Sequence, residues 1–446
     1  MMTDTASFDS PATTVLAPRS LRATSIRSAN VEALLRQVVF VILLTRSVCD
    51  PIFGLSETDV GGSTISFGAL VNALAIAIAL LCIVRRPSTA PFAIFVMWTP
   101  YLIVAFGATL YAPQFTSAAR LALVILSYWA MFVLPLFMFR SPADLRRFVL
   151  LIFASSVVPS VYAAWKILTG ASYADDFRLA STFAHPNIFA FYLVLLLGLA
   201  LFVLASPPGR WPRHERCLIA LYIPVLILFL AFTKTRSAWI AGGLMFLFYA
   251  LWLDRRLLVV FVALPLLLVV PSPIADRLSD LRNGMSIESI KELNANTQLN
   301  SAAWREALWR SAVPSVVEEP VLGHGLRSFR ASTTEFFPLA GPDGIDAHNL
   351  YLQIVFEMGI VGLAAYLWLL GSLTRWIQEG LRYDPNAIAV ALSILAAYVL
   401  ESFADNMLDY LAFNWYFMFA LGTIGAWIEY RKSAARGHRP HCHVGG

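Results

Sequence analysis

The chain is expected to be an all-α polytopic membrane protein of about twelve transmembrane helices with one large extramembrane loop, and three observations lead there. Of its 446 residues, 58% are hydrophobic and only 14% charged, and its mean hydropathy of +0.68 lies outside the soluble globular range. Apolar runs of roughly 16 to 25 residues recur along most of the chain, each long enough to cross a hydrocarbon core about 30 Å thick at ~1.5 Å per residue. Arginines gather in alternate connections between those runs. Backbone groups find no water in lipid and must pair within their own segment, so the runs are helices.

Residues 1–30 hold no apolar core of signal-peptide length and read as a disordered cytosolic tail. A transit peptide would also be rich in Ser, Thr and Arg, but Asp4 and Asp9 count against one. Nine spans are expected within 31–271, near 31–48, 65–84, 91–111, 117–139, 145–167, 186–205, 216–233, 236–252 and 256–271. Three more follow the 272–347 loop, near 348–373, 386–403 and 411–429, and residues 431–446 form a second cytosolic tail.

Arg85 and Arg86, Arg146 and Arg147, Arg210 and Arg213, Arg255 and Arg256, Arg375 and Arg382, and Arg431 and Lys432 all fall on one side, which the positive-inside rule makes cytoplasmic. The net charge of +5 therefore reports orientation and not nucleic-acid binding. Of Cys49, Cys82, Cys217 and Cys442 only the first falls outside, so no disulfide framework follows. The outer side carries the 46–64, 168–185 and 272–347 segments and the turn around Asp405 and Asp409, in the periplasm of a Gram-negative cell. In the large loop, Trp304, Leu308 and Val313 stand at near-helical spacing, as in an amphipathic helix at the interface.

Three polar residues converge on that outer face: Arg178 in DDFRLASTFAHPN, Arg236 in FTKTRSAW, and His348 at the head of HNLYLQIVFEMGIVGL. Guanidinium forks suit phosphate oxygens, and an imidazole takes a proton near neutral pH. Each also has a plain structural reading. Arg178 can pair with Asp175 or Asp176, Arg236 can snorkel to head groups, and His348 with Asn349 can cap the following helix. Arg305, Arg327 and His324 can face the same cavity. Glu357 sits on the order of 13 Å along the helix from His348 and reads as a structural partner of a buried donor. Gly359 and Gly362 read as a site of close helix approach. Gly323 and Gly325 form a turn too weak in pattern to be a phosphate cradle, Asp405 and Asp409 read as a solvated outer turn, and the HRPHCHVGG tail as idle. No motif requires a metal or cofactor.

These residues resemble the O-antigen ligase and O-antigen polymerase family of bacterial membrane glycosyltransferases. His348, Asn349, Leu352, Glu357, Gly359 and Gly362 stand at that family's C-terminal spacing. WREALWRSAVPSVVEEPVLGHGLRSF is similar to its loop element, TKTRSAWIAGG to its Ser-Arg motif with Thr235 in the serine position, and RLASTFAHPNIFA to its earlier arginine element with Ser181 where glycine is usual. The resemblance covers residues from about 170 to 425.

It implies a GT-C-like, metal-independent, inverting glycosyltransferase of the bacterial inner membrane that takes a glycan from undecaprenyl pyrophosphate on the periplasmic face. Carried over, Arg178 and Arg236 bind the pyrophosphate and His348 activates or positions the acceptor hydroxyl; Asn349, Arg305 and Arg327 are expected beside them in the substrate site. The first functional expectation is a polymerase joining lipid-linked repeat units into exopolysaccharide or O-antigen. The alternative is a ligase that transfers the finished glycan to lipid A core. Either would work among membrane lipids beside flippase and chain-length regulator proteins, without nucleic acid. A transporter is the competing class, but the large loop between spans nine and ten breaks the symmetry of two six-helix repeats.

Overall fold

The computed structural model of the protein describes residues 19–55, 57–60, 63–170, 177–259 and 301–436. The expected ninth span, the 272–300 part of the loop, Asp175, Asp176, the tail before Arg19 and the histidine-rich end lie outside the described residues. Every other expected span is helical. In order these are α1 (Arg19–Leu55), α2 (Phe67–Arg85), α3 (Phe92–Leu110), α4 (Phe115–Met138), α5 (Pro142–Ser155), α6 (Val157–Leu168), α7 (Pro186–Ala205), α8 (Arg213–Phe232) and α9 (Arg236–Trp252). The loop contributes α10 (Ser301–Glu318) and α11 (Ser328–Phe336), and the chain continues through α12 (Leu350–Gln378), α13 (Pro385–Glu401) and α14 (Leu411–Ala435). Eight of the helical segments among the described residues are long and apolar enough to cross a membrane, α5 and α6 together making one of them.

The structure refines three expectations. Residues 19–30, expected as tail, continue the first helix. The outer connection after α1 holds a small antiparallel hairpin, β1 (Glu57–Val60) against β2 (Ser63–Ser66), with Val60 opposite Ser63 across Gly61 and Gly62. The fifth span is broken at Ser156 into α5 and α6.

Helix starts follow local chemistry. Ser141 and Asp144 form a capping box at α5 with Pro142 at its first position. Asp384 caps α13 by accepting from the Ala387 amide at 3.1 Å, again ahead of a proline. Helices α7 and α14 are apolar on every face and buried along nearly their whole length, as expected of helices at the centre of a bundle. Helix α14 lies against α4 so closely that a Cβ on Gly422 would stand 2.9 Å from the Phe132 carbonyl carbon. Trp415 Nε1 donates to Ser127 Oγ across that contact at 2.9 Å.

One end of the bundle is basic and laced by ion pairs: Glu32 with Arg86 and Arg140, Asp144 with Arg36, Glu215 with Arg146, and Asp384 with Arg210. These join the connections that the charge pattern places together.

At the opposite end the loop helices dock on the first turns of α12. Ala303, Ala307, Leu308, Ser311 and Ala312 form the buried face of α10, and Ala307, Leu308, Phe329 and Phe356 share one apolar cluster. Val313, expected on that face, is 52% exposed, because the contact stripe runs through 304, 307, 308 and 311 instead.

Helix α12 is interrupted at Gly359, whose φ of 62° and ψ of −166° suit essentially glycine alone. The break removes the helical partners of two carbonyls and two amides. The turn before α11 supplies replacements: His324 N–H donates to the Phe356 carbonyl and Gly325 N–H to the Glu357 carbonyl, both at 2.9 Å, while Ile360 and Val361 N–H donate to Pro320 and Val321 carbonyls at 2.9 and 3.3 Å. Gly359 thus admits a loop backbone, not a neighbouring helix as expected. Gly362 meets Met358 of its own helix, which also differs from the interhelical role expected of it.

Gly359→Ala forces a side chain into a left-handed position against the Val321 carbonyl, and is expected to cost at least about 2 kcal/mol. Gly371→Ala in the same helix meets nothing within 4 Å and should be neutral or stabilising by up to ~1 kcal/mol. Thermal unfolding of the two variants in detergent checks the contrast, and equal melting temperatures would refute the clasp.

Candidate active site

Three helix N-termini meet at the end of the bundle that carries the loop domain. Asn187 stands in the first turn of α7, Thr235 and Arg236 at the head of α9, and His348 and Asn349 at the head of α12. The positive ends of three helix dipoles favour an anion between them.

Side-chain hydrogen bonds tie these heads together. Arg178 Nη2 donates to Asn187 Oδ1 at 2.7 Å and to Thr235 Oγ1 at 3.0 Å, and its Nε donates to the Thr233 carbonyl at 3.1 Å. Thr235 Oγ1 donates to the same Asn187 oxygen at 3.1 Å. With its oxygen so occupied, Asn187 turns its amide nitrogen to Asp405, donating to Oδ2. Asp405 Oδ1 in turn faces His348 Nδ1 at 3.4 Å. The chain Arg178–Asn187–Asp405–His348 therefore crosses from α7 and α9 to α12 through side chains alone.

Asp405 is 1% exposed. Burial alone would raise its carboxyl, but the hydrogen bond and charge of His348, with donors from Tyr410 and Asn187, hold it below the usual carboxylate range. An ionised carboxylate only accepts, so the nitrogen that His348 turns to it is a protonated Nδ1, and Nε2 is the ring's acceptor whenever the imidazole is neutral. The imidazole side chain is 36% exposed and packs edge-on to Trp304 of α10 at 5.6 Å. Its backbone φ of 48° is left-handed, a strained conformation for a non-glycine residue. The head of α12 is held by two bonds from its own and the facing turn: Leu350 N–H donates to Ser402 O at 2.8 Å and Asn349 N–H to Asn406 Oδ1 at 3.2 Å. Asn349 Oδ1 meanwhile caps the helix through the Tyr351 and Leu352 amides.

His185 acts as the cap of α7, its Nδ1 accepting the Asn187 amide at 3.1 Å. Burial and the nearby Arg178 lower its pKa, which keeps the ring neutral and able to accept. Ser181, where glycine is usual in related motifs, has a φ of 54°. Its Oγ donates to the Pro159 carbonyl at 2.5 Å, which secures the left-handed turn.

A second polar cluster flanks the first. Gln353 Oε1 accepts from the Ala347 amide and from Asn406 Nδ2, while its Nε2 donates to Glu357 at 2.6 Å. Glu357 is buried, and the Arg327 amide also bonds it. Arg327 extends from there to Asp409 at 2.7 Å and Asp346 at 3.5 Å.

The expected residues thus divide. Arg178 and His348 stand in one network, with Arg236 directly after Thr235 at its edge. Arg305 follows Trp304 on α10 and is half-buried. Arg327 belongs to the flanking cluster. His324, expected at the cavity, instead bonds the Ser315 carbonyl and packs on Phe356 at 4.8 Å, because the clasp fixes its backbone. The Asp405 and Asp409 turn, expected in solvent, is built into the bundle: Asp405 is fully buried and Asp409 partly so. Asn187, Asn406 and Gln353 carried no expectation from the sequence, and Asp405 only that of a solvated residue. A short DNMLD turn between two apolar helices was the available signal, since polar groups there need partners.

Residues 219–367 match the family model described as O-antigen ligase. Over this segment the chain is similar to the O-antigen ligase family. The match takes in Arg236, Arg305, Arg327, His348 and Glu357, and ends before Asp405. Two rickettsial proteins, each named "Putative polysaccharide ligase", are similar over shorter stretches. The one from Rickettsia conorii is 33% identical over 101 residues, or 21% of this chain and 25% of the relative. The one from Rickettsia typhi is 33% identical over 86 residues, covering 18% and 21%. The chain therefore spans about a quarter or less of these relatives' own lengths.

Beyond the matched segment, burial and the facing Asp346 push the Asp409 carboxyl up to about 6, against the pull of Arg327. The fold favours its protonated form, so the stability it lends is complete below its ordinary value of 3.8 and fades as pH rises through about 6. Asp409→Asn is expected to remove that component. Melting curves between about pH 4 and 7 should fall less steeply for the variant than for the parent protein, and parallel curves would contradict the assignment.

Proposed function

We propose that the protein is a metal-independent, inverting glycosyltransferase that moves a glycan from a polyprenyl pyrophosphate to an acceptor hydroxyl. The observation that carries this reading is the continuous chain Arg178–Asn187–Asp405–His348 at converging helix N-termini, next to Arg236. It couples an anion-binding end to a base.

In this reading the donor pyrophosphate rests against Arg178 and Arg236, with the N-termini of α7 and α9 adding positive potential. The acceptor oxygen attacks the anomeric carbon from the face opposite the phosphate. Its proton passes to His348 Nε2 as the new C–O bond forms. The bond from the anomeric carbon to the phosphate oxygen breaks, and the pyrophosphate leaves with the electron pair, its charge balanced by the arginines. Asp405 stabilises the imidazolium, the role a carboxylate plays behind a histidine base. Arg305, next to Trp304 on α10, and Asn349, next to His348, would contact the glycan.

The donor is then an undecaprenyl-pyrophosphate-linked oligosaccharide, and the basic end of the bundle faces the cytoplasm of a bacterium, leaving the site on the periplasmic face of its inner membrane. The sequence alone put polymerisation of repeat units first. The family description and the names of the relatives carry the word ligase, and transfer to lipid A core is the alternative, with the same donor and the same residues.

His348→Ala is expected to lower turnover by about 10²- to 10⁴-fold, the usual contribution of a general base. Asp405→Asn should lower it by up to about 10⁴-fold, because the ring then loses its orienting acceptor, while Arg236→Ala should raise KM for the lipid donor. The assay is transfer by the purified protein in detergent, with lipid-linked oligosaccharide alone or with lipid A core added. A ladder of longer lipid-linked glycans identifies a polymerase, and transfer dependent on the core identifies a ligase. Full activity of His348→Ala would sink the mechanism.

A further inference from the structure

Helix α10 is apolar on two opposite sides. Ala307, Leu308 and Ala312 bury one of them in the cluster that includes Phe329 of α11 and Phe356 of α12. Val317 stands nine residues past Leu308, which at ~3.6 residues per turn is two and a half turns and so the far side of the helix. It is 68% exposed, and Val313, one turn before it, is 52% exposed. Val321 and Leu322, in the segment that clasps α12, are exposed as well. A helix with apolar side chains on both faces fits between two apolar surroundings, and the loop domain itself supplies one.

The neighbours of this face identify the other. Ile360 and Val361 N–H donate to the Pro320 and Val321 carbonyls, and Tyr111 Oη donates to the Leu322 carbonyl at 2.6 Å. Val321 and Leu322 are thereby fixed beside α12 just past its break and beside the end of α3. Both helices are long and apolar enough to cross a membrane. On α3 the exposed Ile103, Phe106 and Leu110 recur at helical spacing and run up to Tyr111. On α12 the exposed Ile360 and Leu367 lie two turns apart, and Trp368 Nε1 donates to the Val96 carbonyl of α3 at 3.3 Å. Exposed apolar stripes on spanning helices face acyl chains. The hydrogen bonds carry that lipid-facing wall onto the loop domain.

We propose that the outward face of α10 and the clasp, formed by Val313, Val317, Val321 and Leu322, is seated in the acyl layer of the leaflet at that end of the bundle. The exposed Glu318 and Glu319 that follow Val317 limit its depth to the upper acyl level, because carboxylates stay with water and head groups. Trp304, near the other end of α10, packs edge-on to His348, so one helix joins the lipid seat to the imidazole. That this seat holds the base at the level of a lipid-borne pyrophosphate rests on the glycosyl-transfer reading; the insertion does not.

The test reads contact with lipid, not turnover, so failure of the insertion and failure of the transfer chemistry remain distinct. In full-length protein with Cys49, Cys82, Cys217 and Cys442 replaced by serine, nitroxide labels are placed singly at Val317→Cys and Leu322→Cys. Ile103→Cys is the lipid-facing reference, and Thr334→Cys, exposed on α11, the aqueous one. Val313→Cys replaces Leu322→Cys if a label there disturbs the clasp. In phospholipid nanodiscs, power-saturation electron paramagnetic resonance measures collisions with oxygen, which concentrates among acyl chains, and with a neutral nickel chelate, which stays in water. The ratio of oxygen to nickel collisions at both positions is expected to match that at Ile103→Cys and to exceed that at Thr334→Cys by at least about fivefold. A ratio equal to that of Thr334→Cys would put the face in water. Few collisions with either reagent would put it under protein, whether residues 260–300, a second copy or another chain. Either result at either position overturns the insertion.

Discussion

Removing a carboxylate from water costs several kcal/mol unless charges and donors replace its hydration, and Asp405 meets that cost by drawing on several separate elements. His348 comes from the head of α12, Asn187 from α7, and Tyr410 and the Asn406 amide from the turn itself. His348 and Asn187 are far from that turn and from each other in sequence, so the buried charge is fully satisfied only when the helices are correctly registered. The same satisfaction orients the imidazole and turns the Asn187 oxygen toward Arg178. One electrostatic requirement therefore assembles both ends of the proposed site.

The flanking cluster works by a different rule. Breaking α12 at Gly359 would leave backbone groups without partners at membrane depth, where each costs several kcal/mol. The 320–325 segment repairs the break strand-like, and in doing so it docks the loop domain on the bundle. Glu357 beside the break accepts from Gln353, which reaches Asn406 on the Asp405 turn. The loop, the interrupted helix and the α13–α14 turn are thereby a single polar assembly. Its residues stand on either side of Asn406, with His348 on one face and Arg327 with its Asp346 and Asp409 partners on the other.

Left-handed backbone collects at the same places. Ser181, Lys234, Arg327 and His348 are the non-glycine residues with positive φ among those described, and each lies at the entry to a helix or turn of the site. Such conformations persist only where the surroundings over-determine them. At Ser181 the hydroxyl bond to Pro159 does so, and at His348 the capped helix behind it and the Asp405 contact ahead of it.

The sequence by itself determined the helices. Lipid forbids unpaired backbone, so apolar length was enough to place eleven helical segments, eight of which are long and apolar enough to cross a membrane, and arginine placement was enough to group the basic connections that ion pairs join in the fold. It also determined that Arg178, Arg236 and His348 share one end, because membrane topology reduces position to a choice of two sides. Tertiary structure alone decided which polar residues face inward. Asp405 and Asp409 read as solvated because a short acidic turn carries no periodicity to mark its buried face, and burial there comes from α7, α11 and α12, distant in sequence. Gly359 read as a packing device for the same reason: the signal of a helix break lies in the φ and ψ its partner segment stabilises, and that partner is a loop some thirty-five residues upstream.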